Sequence, residues 1–381
     1  MMKTLFKVAV AVLVALNSYG QKPAESKAIN IAFISDVHYG ITRKAFRGAK
    51  NVTSKEVNAA LVTALNSLPS VTLPDDGGIN AGNKINAVDY VIAAGDISNR
   101  MEKSVQTAAV SWAQFDTDYM HALKLTGIDG QPAKLLLVPG NHDASNAIGY
   151  PKPLSPLTDP TAMVNIYNLE MAPAKQLTTE SYNYKTDKIN YSRYINGVHF
   201  VLITIWADSA ERVWMQKDLD TVSAATPVII VAHDPPTCDA RHFTSAAPAG
   251  ASSKNKFQNL VSEHYKEDET AADNGVTDAE QRGFTAFLKA HPNIKAYFHG
   301  HNNWTEFYTY KGPDNDVNLK VFRVDSPMKG KYSSKDETLL SFELITFDRH
   351  ELTVRECLWN TAPSDREQKI TFGKRMTIAL N

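Results

Sequence analysis

The chain has 381 residues, enough for one large α/β domain or two smaller ones, and its 43% hydrophobic and 21% charged content is that of an ordinary globular protein with a sizeable core. The formal net charge is −1, and it becomes −3 once residues 1–20, which carry Lys3 and Lys7 and no acid, are set aside. That balance provides no basic footprint for a nucleic-acid backbone, so a polymer of that kind is not expected as the main partner.

Residues 1–20 read as a signal peptide. Lys3 and Lys7 lead into an uninterrupted apolar run, Val8–Leu16, and Ser18-Tyr19-Gly20 offers small residues at the −3 and −1 positions of a cleavage site. The run is far shorter than the roughly 20 apolar residues that span a bilayer, and no later segment is apolar for longer. The expectation is therefore a secreted or periplasmic protein without a membrane span. Residues 21–28 read as a polar linker, 29–360 as the domain, and 361–381 as a C-terminal extension packed on it.

In chain order, Ile29–Ile34 reads as a buried strand ending in Ser35-Asp36-Val37-His38, and residues 39–52 as a basic, irregular stretch. Thr53 and Glu56 form a capping box for a helix whose apolar positions Val57, Ala60, Leu61, Ala64, Leu65 and Leu68 keep helical spacing. Residues 69–86, rich in Pro, Gly, Asn and Asp, read as a surface loop. Val88–Ala94 is a second strand, ending in Gly95-Asp96. A long helix is expected from Glu102 to Leu125, with Val105, Ala109, Trp112, Phe115, Tyr119 and Leu123 inward.

Leu135–Val138 is a third buried strand, and it runs through Pro139 into Gly140-Asn141-His142-Asp143. Residues 144–180, with five prolines, read as a loop that covers a site. Strand-like runs follow at Tyr191–Ile195 and His199–Trp206, then a helix carrying Trp214 and Leu219, then Val228–Ala232 leading to His233. Residues 239–276 are polar, with weak helical character around Phe257–Tyr265. A helix at Asp278–Ala290 precedes Ile294–Phe298 and His299-Gly300-His301-Asn302-Asn303. Val321–Val324, Leu339–Phe347 and Leu352–Leu358 close the chain as strands. Cys238, in a loop, and Cys357, in a strand, could pair in an oxidising compartment, although a chain of this size needs no such staple.

Five strand-like runs thus deliver Asp, His and Asn to what would be the carboxyl edge of a sheet, where open α/β sheets place their ligands. Taken singly, each signal is weak, because Asp caps helices widely and a lone His is more often a hydrogen-bonded core residue than a ligand. Taken in order, the set Asp36-x-His38, Gly95-Asp96, Gly140-Asn141-His142-Asp143, His233 and Gly300-His301 resembles the calcineurin-like metallophosphoesterases over residues 29–303. The resemblance implies a single-domain α/β protein with that family's four-layer α/β/β/α sandwich, its second sheet completed by the final strands. It also implies hydrolysis of phosphate esters by attack of hydroxide held at a two-metal site.

By that resemblance Asp36 and His38 bind a first metal, Asp96 bridges, and Asn141, His233 and His301 bind the second. His142 approaches the leaving-group oxygen, with Asp143 holding its ring. Imidazole and carboxylate donors suit Mn, Fe, Zn or similar ions. The family's last block, Gly-His-x-His, here reads Gly300-His301-Asn302-Asn303, so the first metal's last ligand falls on Asn303, a weaker carbonyl donor. Shifting the pair to His299-x-His301 would displace the glycine. Purple acid phosphatases carry a metal-binding Tyr three residues after the bridging Asp, where this chain has Asn99.

The substrate is expected to be a small-molecule phosphate ester, with a slight lean to monoesters over diesters for want of an apolar lipid-binding stretch. Arg43, Arg47 and Arg100 are candidates for phosphate contact. The alternative class is a non-catalytic binding protein with a degraded metal site, which Asn303 favours and the otherwise intact set disfavours.

Overall fold

The computed structural model describes residues 27–99, 106–144, 159–184, 186–237, 278–365 and 369–381. The expected signal peptide, Cys238, Arg100, Val105 and the segment 239–276 lie outside the described residues.

Two six-stranded mixed sheets form the frame. The first has the order β14-β13-β12-β1-β4-β5, in which β1 (Ile29–Ile34), β4 (Tyr90–Ala94) and β5 (Lys134–Val138) run parallel. Strands β12 (Ser341–Phe347), β13 (Glu351–Leu358) and β14 (Thr371–Ala379) add to it antiparallel. The second has the order β10-β11-β9-β8-β7-β6. Its parallel centre is β7 (Val198–Leu202), β8 (Val228–Val231), β9 (Ile294–His299) and β11 (Leu319–Arg323). Its antiparallel edges are β6 (Tyr191–Ile195) and β10 (Glu306–Tyr310).

The continuous apolar runs of β1, β8 and β9 have the composition of strands covered on both faces. Ile31–Ile34 and Val228–Val231 are at most 1% exposed. The sheets meet through aromatic pairs, Phe33 against Phe298 with centroids 5.3 Å apart and Phe200 against Phe347 at 5.5 Å. Helices cover the outer faces. Helix α1 (Ser54–Ser67) starts at the expected capping box, with Thr53 and Glu56 each accepting from the other's backbone N–H, and it buries Val57, Leu61 and Leu65. On the other side α5 (Ser209–Leu219) and α6 (Asp278–Ala290) are joined by an Arg212–Glu280 ion pair at 2.8 Å, and Phe284 packs on Trp206 and Tyr297. This is the expected α/β fold of two mixed sheets flanked by helices.

Several local expectations are corrected. Residues 42–53 form a hairpin, β2 (Thr42–Phe46) and β3 (Ala49–Thr53), turned at Arg47-Gly48 with φ of 50° and 80°. Positive φ at both central residues is the hairpin turn whose twist matches its strands. The expected helix of Glu102–Leu125 is shorter. Thr107 caps α2 (Ala108–Phe115), which passes into a π-helical turn at Asp116–His121. Ala108 and Ser111 face inward there, and Ala109 is exposed. The supposed loop 144–180 contains α4 (Thr161–Met171), ended by Ala172 in the left-handed conformation. The final strands do not complete the second sheet as expected: β11 joins it, but β12, β13 and, from the C-terminal segment, the edge strand β14 extend the first sheet outward from β1.

Candidate metal centre

The loops that follow the central strands stay attached to one another. Beyond β1 and β4, Asp36 N–H donates to the Gly95 carbonyl at 3.0 Å, His38 N–H to Asp96 at 2.9 Å and Tyr39 N–H to Ile97 at 2.8 Å. Beyond β8 and β9, Gly300 N–H donates to the His233 carbonyl at 3.1 Å. The two sheets are then tied across the gap. His301 N–H donates to Asp36 Oδ2 at 2.9 Å, and His233 Nδ1 donates to the Ala94 carbonyl at 2.7 Å. A carbonyl can only accept, so this bond fixes the proton on Nδ1 and leaves Nε2 facing the site.

Such close approach needs glycine. A Cβ on Gly95, whose φ is +87°, would lie 2.5 Å from Gly140 N and 2.8 Å from His233 Nδ1. One on Gly300 would lie 1.9 Å from Ser35 Oγ and 2.4 Å from Asp36 Oδ2. The functional side chains are themselves placed by left-handed backbone, with φ of 56° at Asp36, 44° at His38, 55° at Asp96, and 64° at both His301 and Asn303.

The result is two adjoining donor groups. Ligand atoms of Asp36, His38 and Asp96 lie within 4.8 Å of one another, as do those of His233, Asp234 and His301. His38 Nε2 is 3.4 Å from Asp36 Oδ1 and 3.7 Å from Asp96 Oδ2. The same Asp96 Oδ2 is 3.5 Å from His233 Nε2, so one oxygen stands between the two groups. Asn141 Oδ1 is 3.2 Å from His233 Nε2, and His301 Nδ1 is 4.0 Å from Asp234 Oδ1. Two donors each about 2.1 Å from a shared ion stand about 3–3.5 Å apart; the His38–Asp36, His233–Asp96 and His233–Asn141 pairs have that spacing, while His38–Asp96 and His301–Asp234 are wider.

Unmet bonding in the first group also fits a cation. His38 Nδ1 is buried without a hydrogen-bond partner, and His38 Nε2 and Asp36 Oδ1 have only each other, at 3.4 Å and outside good hydrogen-bond geometry; elsewhere Asn99 Oδ1 and Asn303 Oδ1 are also buried and unpartnered. Buried polar atoms are rarely left so, and an ion is one of the things that satisfies them. The charges agree. Burial pushes the Asp36 and Asp96 carboxyls up, but His38 and His233 outweigh it, leaving Asp36 lowered and Asp96 well below the usual carboxylate range. Burial pulls His233 down, but Asp96, then Asp36 and Asp234, push it up to about 10. The paired carboxylates therefore draw positive charge to themselves.

Asp36, His38, Asp96, Asn141, His233 and His301 are thus brought together. Asn303 Nδ2 donates to the His301 carbonyl at 2.7 Å. His142 joins through its backbone N–H, which donates to Asp96 Oδ1 at 2.9 Å, and its ring packs edge-on to His38 at 5.4 Å.

Asp143 does not hold that ring. Its carboxylate accepts the N–H groups of Gly140 and Ser98 at 2.9 Å and of Ile97 at 3.3 Å, fastening the β4 and β5 loops together. The group at His142 Nε2 is instead Lys329 Nζ, 3.2 Å away. Arg43 and Arg47 are also elsewhere. Arg43 is 2% exposed and donates to the carbonyls of Pro327 and Ser333, while Arg47 donates to Asn360. Sequence reasoning missed Asp234 and Lys329. The acid directly after His233 was a usable signal, whereas Lys329 lies in a loop with no motif of its own.

A family model described as calcineurin-like phosphoesterase matches residues 29–304. Among solved structures, a dimetal phosphatase from Danio rerio is similar at a TM-score of 0.52 and 12% identity, over 93% of this chain and 99% of that one. PhoD is similar at 0.49 and 12% identity, over 94% of this chain and 71% of that one. Phosphopantetheinyl hydrolase from Mycobacterium tuberculosis follows at 0.35 and 13%, over 79% and 91%. At 12% identity the first likeness is one of fold alone. No curated protein matches the chain.

Proposed function

The chain belongs to the calcineurin-like phosphoesterase family, and from that premise we propose that it hydrolyses small-molecule phosphate esters at a two-cation site, with a slight preference for monoesters over diesters. The observation that carries this reading is the position of Asp96 Oδ2, which is 3.7 Å from His38 Nε2 and 3.5 Å from His233 Nε2. It is the one donor that two neighbouring cations would share.

Asp36 and His38 would hold the first cation, with Asn303 Oδ1 as its remaining donor. Asn141, His233 and His301 would hold the second, and Asp234 is placed to bind it or to orient His301. Mixed carboxylate, amide and imidazole donors suit Mn, Fe or Zn. Two such ions would activate a water and neutralise phosphoryl oxygens during in-line displacement.

The rest of the work falls to the chain. The Ala94 carbonyl fixes the His233 ring, and the His301 N–H fixes the Asp36 carboxylate. Asp143 fixes the loop that carries Asn141 and His142. His142 presents its ring beside His38, where it can face the leaving-group oxygen. The apolar leader, Val8–Leu16 behind Lys3 and Lys7, supports action outside the cytoplasm.

The test is release of p-nitrophenol from mono- and bis-p-nitrophenyl phosphate with Mn, Fe, Zn or Mg added. Asp96→Asn should lower the rate about a hundredfold or more, since it weakens both cations at once. Activity unchanged in Asp96→Asn would refute the two-cation reading.

A further inference from the structure

A cavity of about 360 Å³ opens between α4 and α5 and shares no lining residue with the metal centre. That volume is within the range of small-molecule sites. Tyr167 and Met171 of α4 and Trp214 of α5, each partly buried against the core, make its apolar wall. Lys188, Asn190 and Glu211 make the polar one. The run that carries Lys188 is held in place by its neighbours. Ile189 N–H donates to Thr204 Oγ1 and Thr204 N–H to Asn190 Oδ1, both at 2.9 Å, and Tyr182 Oη donates to the Asp187 carbonyl at 3.0 Å.

Lys188 itself is half-buried, but its Nζ is shut off from solvent and has no hydrogen-bond partner among the described residues. A lysine ordinarily does the opposite, laying its stem along apolar surface and keeping the ammonium in water. The ammonium carries three N–H donors, and a buried charge without a partner is costly. An anion in the cavity would meet that need. The start of α5 would not draw one by itself, because the N–H groups of Ala210 and Glu211 both donate to Asp208 Oδ1 at 2.9 Å.

We propose that this cavity is a second small-molecule site that binds an aromatic monocarboxylate, its head on the Lys188 ammonium and its ring against Tyr167 and Trp214. One ammonium matches a single negative charge. The Glu211 carboxylate lines the same cavity and disfavours a doubly charged head such as a phosphate monoester. The site therefore does not duplicate the substrate class of the metal centre, and it stands whether or not the phosphoesterase reading does.

The probe is phenylacetate, with phenylacetamide as its neutral counterpart, offered to wild type, Lys188→Met, Trp214→Ala and Asp96→Asn. Dissociation constants are read by ligand-detected NMR titration, beside the thermal midpoint with and without probe. Wild type should bind phenylacetate, and the amide about tenfold more weakly or worse. Loss of one charge-assisted hydrogen bond predicts that Lys188→Met weakens phenylacetate about 10- to 100-fold. Trp214→Ala should weaken both compounds, and Asp96→Asn should bind as wild type does. Without probe, Lys188→Met should melt at or above the wild-type midpoint, since it removes a buried charge that has no partner. Phenylacetate should raise the midpoint of wild type and not that of Lys188→Met. No binding by wild type, or equal binding of acid and amide, overturns the proposal. Loss in Asp96→Asn with retention in Lys188→Met also overturns it, by placing the probe at the metal centre. A lowered midpoint in Lys188→Met without probe does the same, because the ammonium would then be serving the fold.

Discussion

Gly300→Ala should disable the centre without replacing any of its donor residues. An added Cβ would meet Ser35 Oγ at 1.9 Å, Ser35 Cβ at 2.5 Å and Asp36 Oδ2 at 2.4 Å, against an ordinary contact of 3.4 Å or more. Rotating Ser35 clears its Oγ but not its Cβ, and it breaks the bond from Oγ to the Ala94 carbonyl, 2.8 Å long and fully buried. The Asp36 carboxylate must also retreat by about 1 Å, and it is held by the His301 N–H. Overpacking of this kind costs about 1–3 kcal/mol of stability. Misplacement of a reacting group by about 1 Å costs on the order of a hundredfold in rate. The assay is kcat/KM and metal content after dialysis, read beside the thermal midpoint. We expect a folded protein with a modestly lowered midpoint, lower metal occupancy and a rate down by about two orders of magnitude. Wild-type rate and occupancy would show that the carboxylate has room to move, and the argument from close approach would fail.

Asn303→His restores an imidazole where the buried amide oxygen stands, and it should raise the metal retained after dialysis. Equal retention by both proteins counts against Asn303 as a ligand. Glu170 provides a pH signature away from the site: burial raises its carboxyl from 4.5 to about 7, against the opposing hydrogen bond from Leu137 N–H. An acid whose folded value is raised disfavours folding once ionised. The penalty is absent below about pH 4.5, grows up to about pH 7 and is constant above, reaching at most about 3 kcal/mol. Glu170→Gln, which keeps an oxygen for Leu137, should therefore raise the urea midpoint more at pH 8 than at pH 5. A gain of the same size at both would show that the carboxyl is not ionising with a raised value.

What could be read from sequence depended on how local the cause was. The strands β1, β5, β8 and β9 announce themselves because burial on both faces demands unbroken apolar runs, and the polar residues at their ends stand out against them. Thr53 and Glu56 mark α1 because a capping box is a three-residue device. The hairpin at 42–53 was hidden by its exposed, basic composition. Arg47-Gly48 is its one turn signal, and Arg is not among the residues favoured there. Strands β10 and β14 lie at sheet edges, where half-exposed residues blur the alternation. Within the centre, the residues assigned from short motifs converge, while the tertiary neighbours were illegible. Lys329 reaches His142 across 187 positions of sequence. Asp143 falls to its neighbour's ring by the family resemblance, and nothing in the short motif shows that its carboxylate accepts three backbone N–H groups instead.

The backbone at the centre shows what that convergence costs and what repays it. Five of the nine residues singled out from sequence adopt left-handed conformations, each worth about 1–3 kcal/mol of strain for a side chain of this kind. Asp36 and Asp96 are also both buried, and each raises the other's affinity for protons or cations. Nothing local favours such an arrangement. It persists because the paired loops beyond β1, β4, β8 and β9 determine every position from two sides. A divalent ion held by these residues would offset the burial of like charges, and by mass action whatever binds only the folded state stabilises it. The features that strain the fold are thus the same ones that would give the centre an affinity for cations, and folding stability and metal occupancy should rise together.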